Sequence, residues 1–246
     1  MFDKFISYLQ FEKRYSAHTI IAYRQDLNSF IEFADVKKIN EFADLSASFI
    51  RSWIVYLIEG GMKNRSVNRK LASLRTFYKW LRKEGLVDQS PMTKVNGPKN
   101  ERHLPVFAKE SELLPQKMDG IFANDFDGKR DALMLEMFYQ TGIRLSELIG
   151  LKLNDVDGVQ IKVLGKRNKE RIIPISNKLV EQIQTYIGIR KDFQTKNTHL
   201  FILNNGKKLY PTFVYRKINY YLGIVTNLDK KSPHILRHTF ATHMLN

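Results

Sequence analysis

Apolar residues recur every three or four positions along the first ninety residues, which is the period of an amphipathic α-helix. Three such helices are predicted, each with one apolar face: the first carries Ile20, Tyr23, Leu27, Phe30, Ile31 and Ala34, the second Phe49, Ile50, Trp53, Ile54 and Leu57, and the third Val67, Leu71, Leu74, Tyr78 and Leu81. Ser16 or Thr19 is expected to cap the first helix, Gly60-Gly61 to end the second and Ser66 to open the third. The start of the chain is therefore predicted to be all helix.

The helical period fails between Leu86 and Val106. This stretch is polar and basic, and it is interrupted by Pro91, Gly97, Pro98 and Pro105. Such a composition is typical of a linker between domains. We therefore predict a helical domain over residues 1–90, a linker over 91–105 and a second domain over 106–246.

The second domain mixes helical patterns with a pair of strand patterns. Residues 130–140 are apolar nearly all round, which favours a buried helix that ends at Gly142. Residues 159–163 and 171–175 are typical of neighbouring strands, joined by a basic hairpin tip. Further helices are predicted over residues 178–189 and 211–222 and from Ser232-Pro233 onward. The predicted fold class is mainly α with a small antiparallel β-sheet in the second domain.

The chain is strongly basic: 40 Lys and Arg stand against 25 Asp and Glu, which gives a net charge of +15. Such a surplus favours a polyanionic partner, and nucleic acid ahead of an anionic membrane surface. The third helix concentrates this charge, with only Glu84 as a nearby acid. Its cations are either part of a solvated surface or a face that binds the DNA backbone, and the candidate DNA-binding residues are Arg65, Arg69, Lys70, Arg75 and Lys79.

Cellular compartment is constrained by what the sequence lacks. No apolar run approaches the ~20 residues of a membrane span, and the first residues do not follow the basic-then-apolar order of a secretory signal. We therefore expect a cytoplasmic, nucleoid-associated protein without a membrane partner. The absence of cysteine excludes disulfides and thiolate metal sites.

Two arginines suggest phosphate chemistry. A phosphodiester under attack gains negative charge, and the planar, always-protonated guanidinium group suits its stabilisation. Arg144 follows a helix-ending Thr-Gly, and Arg237 lies on the last predicted helix, so both could be held rigidly. Taken singly, each could equally be a surface arginine of a basic protein.

The sequences around these arginines resemble the tyrosine recombinase (phage integrase) family, and in particular its bacterial Xer-type members. The blocks that carry the resemblance are residues 141–148 (TGIRLSEL), 165–171 (GKRNKER) and 233–243 (PHILRHTFATH). Residues 15–19 with Tyr23, Asp26 and Leu27 are similar to the start of the family's core-binding domain. The resemblance implies a helical SAM-like core-binding domain followed by a tyrosine recombinase catalytic domain.

The resemblance also implies roles for individual residues. Arg144 and Arg237 would bind the scissile phosphate, and His234 would act as a general base and phosphate donor. Lys166 at the hairpin tip would be the general acid that protonates the departing 5′ oxygen, with Lys169 as the competing candidate. Glu147 would orient side chains rather than react.

The family's nucleophilic tyrosine is expected downstream of His243, and no tyrosine occurs there. We therefore expect a catalytic domain that is incomplete at its C-terminus, without a nucleophile, which binds DNA and does not cleave it. His234 and His238 have a spacing compatible with metal binding, but no third ligand is suggested, so no metal and no cofactor are expected.

The resemblance implies a site-specific recombinase that cuts and rejoins double-stranded DNA through a 3′-phosphotyrosyl intermediate. Full-length relatives act as tetramers on paired target sites, of one or of two kinds of protomer. Xer-like chromosome dimer resolution at cell division is the first hypothesis. An integrase of a phage or mobile element, and a non-catalytic DNA-binding remnant, remain the alternatives.

Overall fold

The computed structural model describes residues 2–101, 107–109, 112, 120–165, 169–193 and 195–244. The chain divides into two compact units, Met1–His103 and Leu104–Asn246. Each unit has its own hydrophobic core. The two units are described separately below.

The first unit is helical throughout its described residues. Its α-helices are α1 (Asp3–Ser7), α2 (Ala17–Ala34), α3 (Ala47–Glu59) and α4 (Asn64–Lys83), and shorter helical turns span Tyr8–Glu12, Ile39–Ala43 and Pro91–Lys94. Ser16 caps α2, because its hydroxyl accepts a hydrogen bond from the backbone N–H of Thr19. Ser46 caps α3 in the same way. The helix predicted to open at Ser66 begins two residues earlier, at Asn64.

Aromatic rings fill the core of the first unit. Phe77 on α4 contacts Phe5 and Phe42 edge-on, at ring-centroid distances of 5.0 Å in both pairs. Met92 and Val95 are buried in the same core, although they lie within the stretch predicted to be a linker. The described part of that stretch is therefore packed on the first unit, because its apolar side chains fit between the helices.

The second unit combines helices with one small sheet. Its elements are α5 (Phe126–Thr141), α6 (Leu145–Gly150), β1 (Val156–Asp157), β2 (Gln160–Leu164), β3 (Glu170–Pro174), α7 (Asn177–Arg190), α8 (Pro211–Val225) and α9 (Pro233–His243). Helix α5 packs against both α7 and α9, which places it at the centre of the unit. The mainly helical fold class with a small antiparallel sheet in the second unit is confirmed.

The sheet has the order β1-β2-β3, and both pairs are antiparallel. Ile161 and Val163 point into the core, as the alternating pattern predicts. Val159 continues the same alternation in sequence but is exposed, since it follows Gly158 in the tight turn between β1 and β2. The short elements α6 and β1 were not predicted, because two to six residues are too few to show a period.

Candidate phosphate-binding site

Arg144 is placed by the end of one helix and the start of the next. Helix α5 ends at Gly142, which adopts the left-handed conformation with φ of +56°. Arg144 then precedes α6, and its backbone N–H donates to the Glu147 carboxylate over 2.8 Å. The guanidinium group is therefore fixed at a helix N-terminus, where the backbone amide dipoles also favour an anion.

Glu147 is the centre of an ionic cluster that we call the arginine–glutamate cluster: Arg144, Glu147 and Arg171. One Nη atom of Arg144 donates to Glu147 Oε1, and two Nη atoms of Arg171 donate to Oε1 and Oε2, all over 2.8 Å. The Glu147 side chain is only 2% exposed. Burial alone would raise its pKa, but the hydrogen bonds from Arg171 and Arg144 outweigh burial and lower the pKa to about 2. Glu147 is therefore a permanent anion at neutral pH.

Arg237 and His234 reach the same place from α9. Ser232 caps this helix and Pro233 occupies its first turn, as predicted. Arg237 donates from Nη1 to the carbonyl oxygen of Gly142, so the residue that ends α5 also holds this guanidinium. Burial, and then the positive charge of Arg144, lower the pKa of Arg237 from its ordinary value. The repulsion between the two arginines indicates a site prepared for an anion.

His234 is paired with His238 one helical turn later. Their Nε2 atoms are 3.2 Å apart and their rings meet edge-on. Burial lowers the pKa of His234 below its usual value, and the nearby His238 and Arg237 lower it further. A neutral imidazole at physiological pH is what a general base requires.

Arg144, His234 and Arg237 share one cleft of about 560 Å³, which we call the phosphate cleft. Its polar lining residues are Arg144, Ser146, Tyr215, Ser232, His234 and Arg237. Three of the four residues predicted to be catalytic are thus brought together. The fourth, Lys166, lies outside the described residues. Its competitor Lys169 is exposed, and its carbonyl accepts a hydrogen bond from the Gly165 N–H over 2.8 Å.

The cations predicted to bind DNA on α4 divide into two groups. Arg65, Arg69, Arg75 and Lys79 are exposed. Lys70 is only 8% exposed, and its ammonium lies 3.7 Å from the carboxylate of the buried Asp26. Lys70 therefore does not belong to the exposed face. The exposed Arg69 also pairs with Asp26, over 2.6 Å. The helical period could not reveal the burial of Lys70, since a lysine is expected at the surface whatever its position on the helix.

Two residues in or beside the cleft were not singled out from the sequence. Arg171 falls within the matching block 165–171 but has no role implied there, and Tyr215 lies outside the matching blocks. The sequence offers one signal for Arg171. It is a basic residue on the strand after the hairpin, on the same side of that strand as the partly buried Ile173. Tyr215 offered no such signal, since its place in the cleft depends on how α8 packs in the second unit.

We expect Gly142→Ala to lower the free energy of unfolding by about 3 kcal/mol. The left-handed conformation costs a residue with a Cβ about 1–2 kcal/mol, and the added Cβ would lie 2.4 Å from Cδ1 of Phe240. Overpacking of this kind adds about 1–3 kcal/mol. Urea unfolding followed by circular dichroism measures the change.

Gly158→Ala is the matched control for Gly142→Ala. Gly158 has a similar φ of +53°, but a Cβ there would have no neighbour within 4 Å. Its loss should be limited to the conformational cost of about 1 kcal/mol. Equal losses for the two variants would contradict the role assigned to the Phe240 contact.

None of the helices within the described ranges is long and apolar enough to cross a membrane. Among the residues whose placement is described, no three or more His, Asp or Glu side chains form a group that could hold a metal ion. That no metal or cofactor takes part stays a prediction.

A mainly helical unit, followed by a unit with two arginines and a histidine around one cleft, defines the class of protein. The profile of the phage integrase family matches residues 110–246, and that of the phage integrase N-terminal SAM-like domain matches residues 2–85. The chain belongs to the phage integrase family, the tyrosine recombinases. The resemblance drawn from its motifs is confirmed.

Xer-type recombinases are among its relatives. Tyrosine recombinase XerC of Chlorobaculum parvum is 35% identical over 274 residues, which cover 99% of this chain and 82% of the relative. XerC of Thermodesulfovibrio yellowstonii is 36% identical over 249 residues, covering 98% and 81%. The solved post-cleavage complex of XerH recombinase with its palindromic difH substrate superposes with a TM-score of 0.76 at 21% identity, covering 92% of this chain and 68% of that one. This last likeness shows the fold.

Proposed function

We propose that this chain acts in site-specific recombination, with Arg144 and Arg237 holding the scissile phosphate of a DNA target. The observation that carries the proposal is the phosphate cleft, where two arginines from separate helices are both fixed by hydrogen bonds. A cleft with two immobilised guanidinium groups suits a phosphodiester that gains charge during attack. The XerC relatives support a Xer-like role in resolving chromosome dimers, ahead of an integrase of a mobile element.

The proposed reaction is an exchange of phosphodiesters. A tyrosine hydroxyl gives up its proton and attacks phosphorus, the bond between phosphorus and the 5′ oxygen breaks, and a 3′-phosphotyrosyl bond forms. His234 is the proposed base and phosphate donor, and Lys166 the acid that gives a proton to the 5′ oxygen. Glu147 is assigned a positioning role, because its buried carboxylate contacts arginines and not the cleft.

Double-stranded DNA is the proposed partner of both domains, which we place at residues 1–90 and 106–246 with a linker over 91–105. The exposed cations of α4 are proposed to contact the DNA backbone: Arg65, Arg69, Arg75 and Lys79. Lys70 is left out because it is buried. A solved lambda integrase of the same fold is a tetramer bound to a Holliday junction. We propose a tetramer of recombinase protomers for this protein also.

Residues 1–246 alone are proposed to bind DNA without cleaving it. Among the residues that the structure describes, Tyr215 is the only tyrosine that lines the phosphate cleft. It lies on α8 and precedes His234 in the chain, whereas the family motif has the nucleophile after the histidine block. Tyr215 is therefore assigned to the wall of the cleft and not to the attack on phosphorus.

The test uses a nicked duplex as a suicide substrate, prepared from sequences that the chain itself selects from a random library. Cleavage near the nick releases a short fragment and traps a covalent protein–DNA adduct. The 246-residue chain should bind this duplex with a steep dependence on salt and form no adduct. Denaturing electrophoresis detects the adduct, and binding is measured by fluorescence anisotropy at several salt concentrations.

Tyr215→Phe and the product of the gene read to its stop codon complete the experiment. If the 246-residue chain forms an adduct and its Tyr215→Phe variant does not, Tyr215 is the nucleophile and does not merely line the cleft. Failure of the complete gene product to form any adduct would overturn the recombinase proposal. A DNA affinity that does not change with salt concentration would contradict the proposed contacts with the phosphates.

A further inference from the structure

Arg171 makes a two-point ionic contact with Glu147 and has so far been assigned no role. It lies on β3, directly after the basic hairpin, and its two terminal nitrogens each donate to a different oxygen of Glu147 over 2.8 Å. A parallel two-point contact of this kind fixes the direction of a carboxylate as well as its position. Arg171 therefore determines how the Glu147 carboxylate is presented to Arg144.

The sharing of Glu147 leaves part of Arg144 available for a ligand. Glu147 receives one side-chain hydrogen bond from Arg144, through Nη1, and a second bond from the Arg144 backbone. The Arg144 side chain remains 41% exposed, whereas Glu147 is almost fully covered. Because Arg171 occupies both carboxylate oxygens, Arg144 is held at one nitrogen and keeps an exposed edge.

The base of the hairpin adjoins the same pair. A Cβ built on Gly165 would lie 3.4 Å from Nη1 of Arg171 and 3.6 Å from Oε1 of Glu147. The Gly165 N–H also donates to the carbonyl of Lys169 across the hairpin, over 2.8 Å. Gly165, at the start of the hairpin, thus lies beside the carboxylate that holds Arg144.

The geometry points to Arg171 as a positioning residue for phosphate binding: through the Glu147 carboxylate it orients Arg144 in the cleft. This inference rests on the proposed function, since it names what orients the phosphate-binding arginine. Arg171 acts through Glu147 and need not touch the ligand. Its geometry matters more than its charge, because a lysine has a single ammonium and cannot span both carboxylate oxygens.

The test measures binding of inorganic phosphate to the 246-residue chain by nuclear magnetic resonance, following the Nε–Hε signals of Arg144 and Arg237. Arg171→Met should weaken phosphate binding about tenfold, and Arg171→Lys at least about threefold, as expected when a two-point charged contact is lost. Lys162→Met is the matched control. It removes a positive charge from the neighbouring strand β2, where Lys162 contacts Glu170 and not Glu147. It should change the affinity less than twofold.

A second readout separates positioning from general stability. In Arg171→Met the carbon signal of the Glu147 carboxylate should titrate at a higher pH than in the parent chain, because burial remains and the largest opposing contact is gone. Thermal unfolding shows whether each variant is folded at the temperature of measurement. Phosphate affinity unchanged in folded Arg171→Lys, or lowered equally in Lys162→Met, would overturn the inference.

The parent chain distinguishes this inference from the proposed function. If phosphate does not shift the Nε–Hε signals of Arg144 and Arg237 in the parent chain, the proposal that the cleft binds phosphate is wrong. Phosphate that binds the parent chain and both Arg171 variants equally well would remove only the positioning role.

Discussion

Replacing Asp131 by alanine is expected to lower the free energy of unfolding of the second unit by about 3 kcal/mol, the low end of the cost of removing one partner of a buried ion pair, because Arg130 keeps its contact with Asp127 over 2.7 Å. Asp131 is fully buried on α5, and its Oδ1 accepts hydrogen bonds from Nε and Nη2 of Arg130 over 3.0 and 2.8 Å. Its Oδ2 lies 2.8 Å from Nζ of Lys217 and accepts a bond from the Tyr221 hydroxyl over 3.2 Å. Urea unfolding, followed by fluorescence, measures the loss.

Tyr221→Phe is the control for Asp131→Ala. It removes one hydrogen bond to the same carboxylate and leaves both cations paired, so it should cost about 1 kcal/mol. Burial raises the pKa of Tyr221, and the adjacent Asp131 raises it further, so this hydroxyl is a donor throughout the working range of pH. An Asp131→Ala loss no larger than that of Tyr221→Phe would show that Arg130 and Lys217 find other partners.

The second large effect is a loss of stability in acid that depends on Glu147. The pKa of this carboxyl is about 2 in the folded protein, against an ordinary value of 4.5. A lowered folded pKa means that the stabilisation is complete above about pH 4.5 and is lost as the pH falls toward 2. The shift corresponds to about 3 kcal/mol. Glu147→Gln should lack this part of the pH dependence, as measured by urea midpoints from pH 6 to pH 2.5.

Glu170→Gln is the control for the acid experiment. Glu170 is an exposed carboxylate on β3, and it lies 3.7 Å from the ammonium of Lys162. Such exposed pairs contribute little to stability. Its variant should follow the pH curve of the parent chain. If Glu147→Gln also follows that curve, the arginine–glutamate cluster does not supply the acid-sensitive stability.

The helices and the placement of Arg144 and Arg237 beside helix ends could be predicted because their signals are local. Gly142, Ser232 and Pro233 mark helix ends in sequence, and Arg144 and Arg237 stand within motifs next to those ends. The burial of Lys70 could not be predicted in this way. It depends on Asp26, which is far along the chain on another helix.

Contacts over long sequence separation explain the other differences. Arg171 meets Glu147 only when the sheet packs beside α6, and Tyr215 enters the cleft only through the packing of α8. The ends of both strands differ by one residue from the prediction, and Val159 lies in the turn after Gly158 instead of in β2. Patterns along the chain indicate which face of an element is apolar, but not which charged partner it will meet.

The arginine–glutamate cluster has a consequence for the charge balance of the reaction. Among the described side chains, Arg144, Arg171 and Arg237 contribute three positive charges and Glu147 one negative charge, which leaves two positive charges in and beside the cleft. A resting phosphodiester carries one negative charge, and in the proposed reaction it carries two once a phenolate oxygen has bonded to phosphorus. We therefore expect these four side chains to match the charge of the pentacoordinate species better than that of intact DNA. A protein with this charge balance binds its substrate less tightly than the transition state of the reaction.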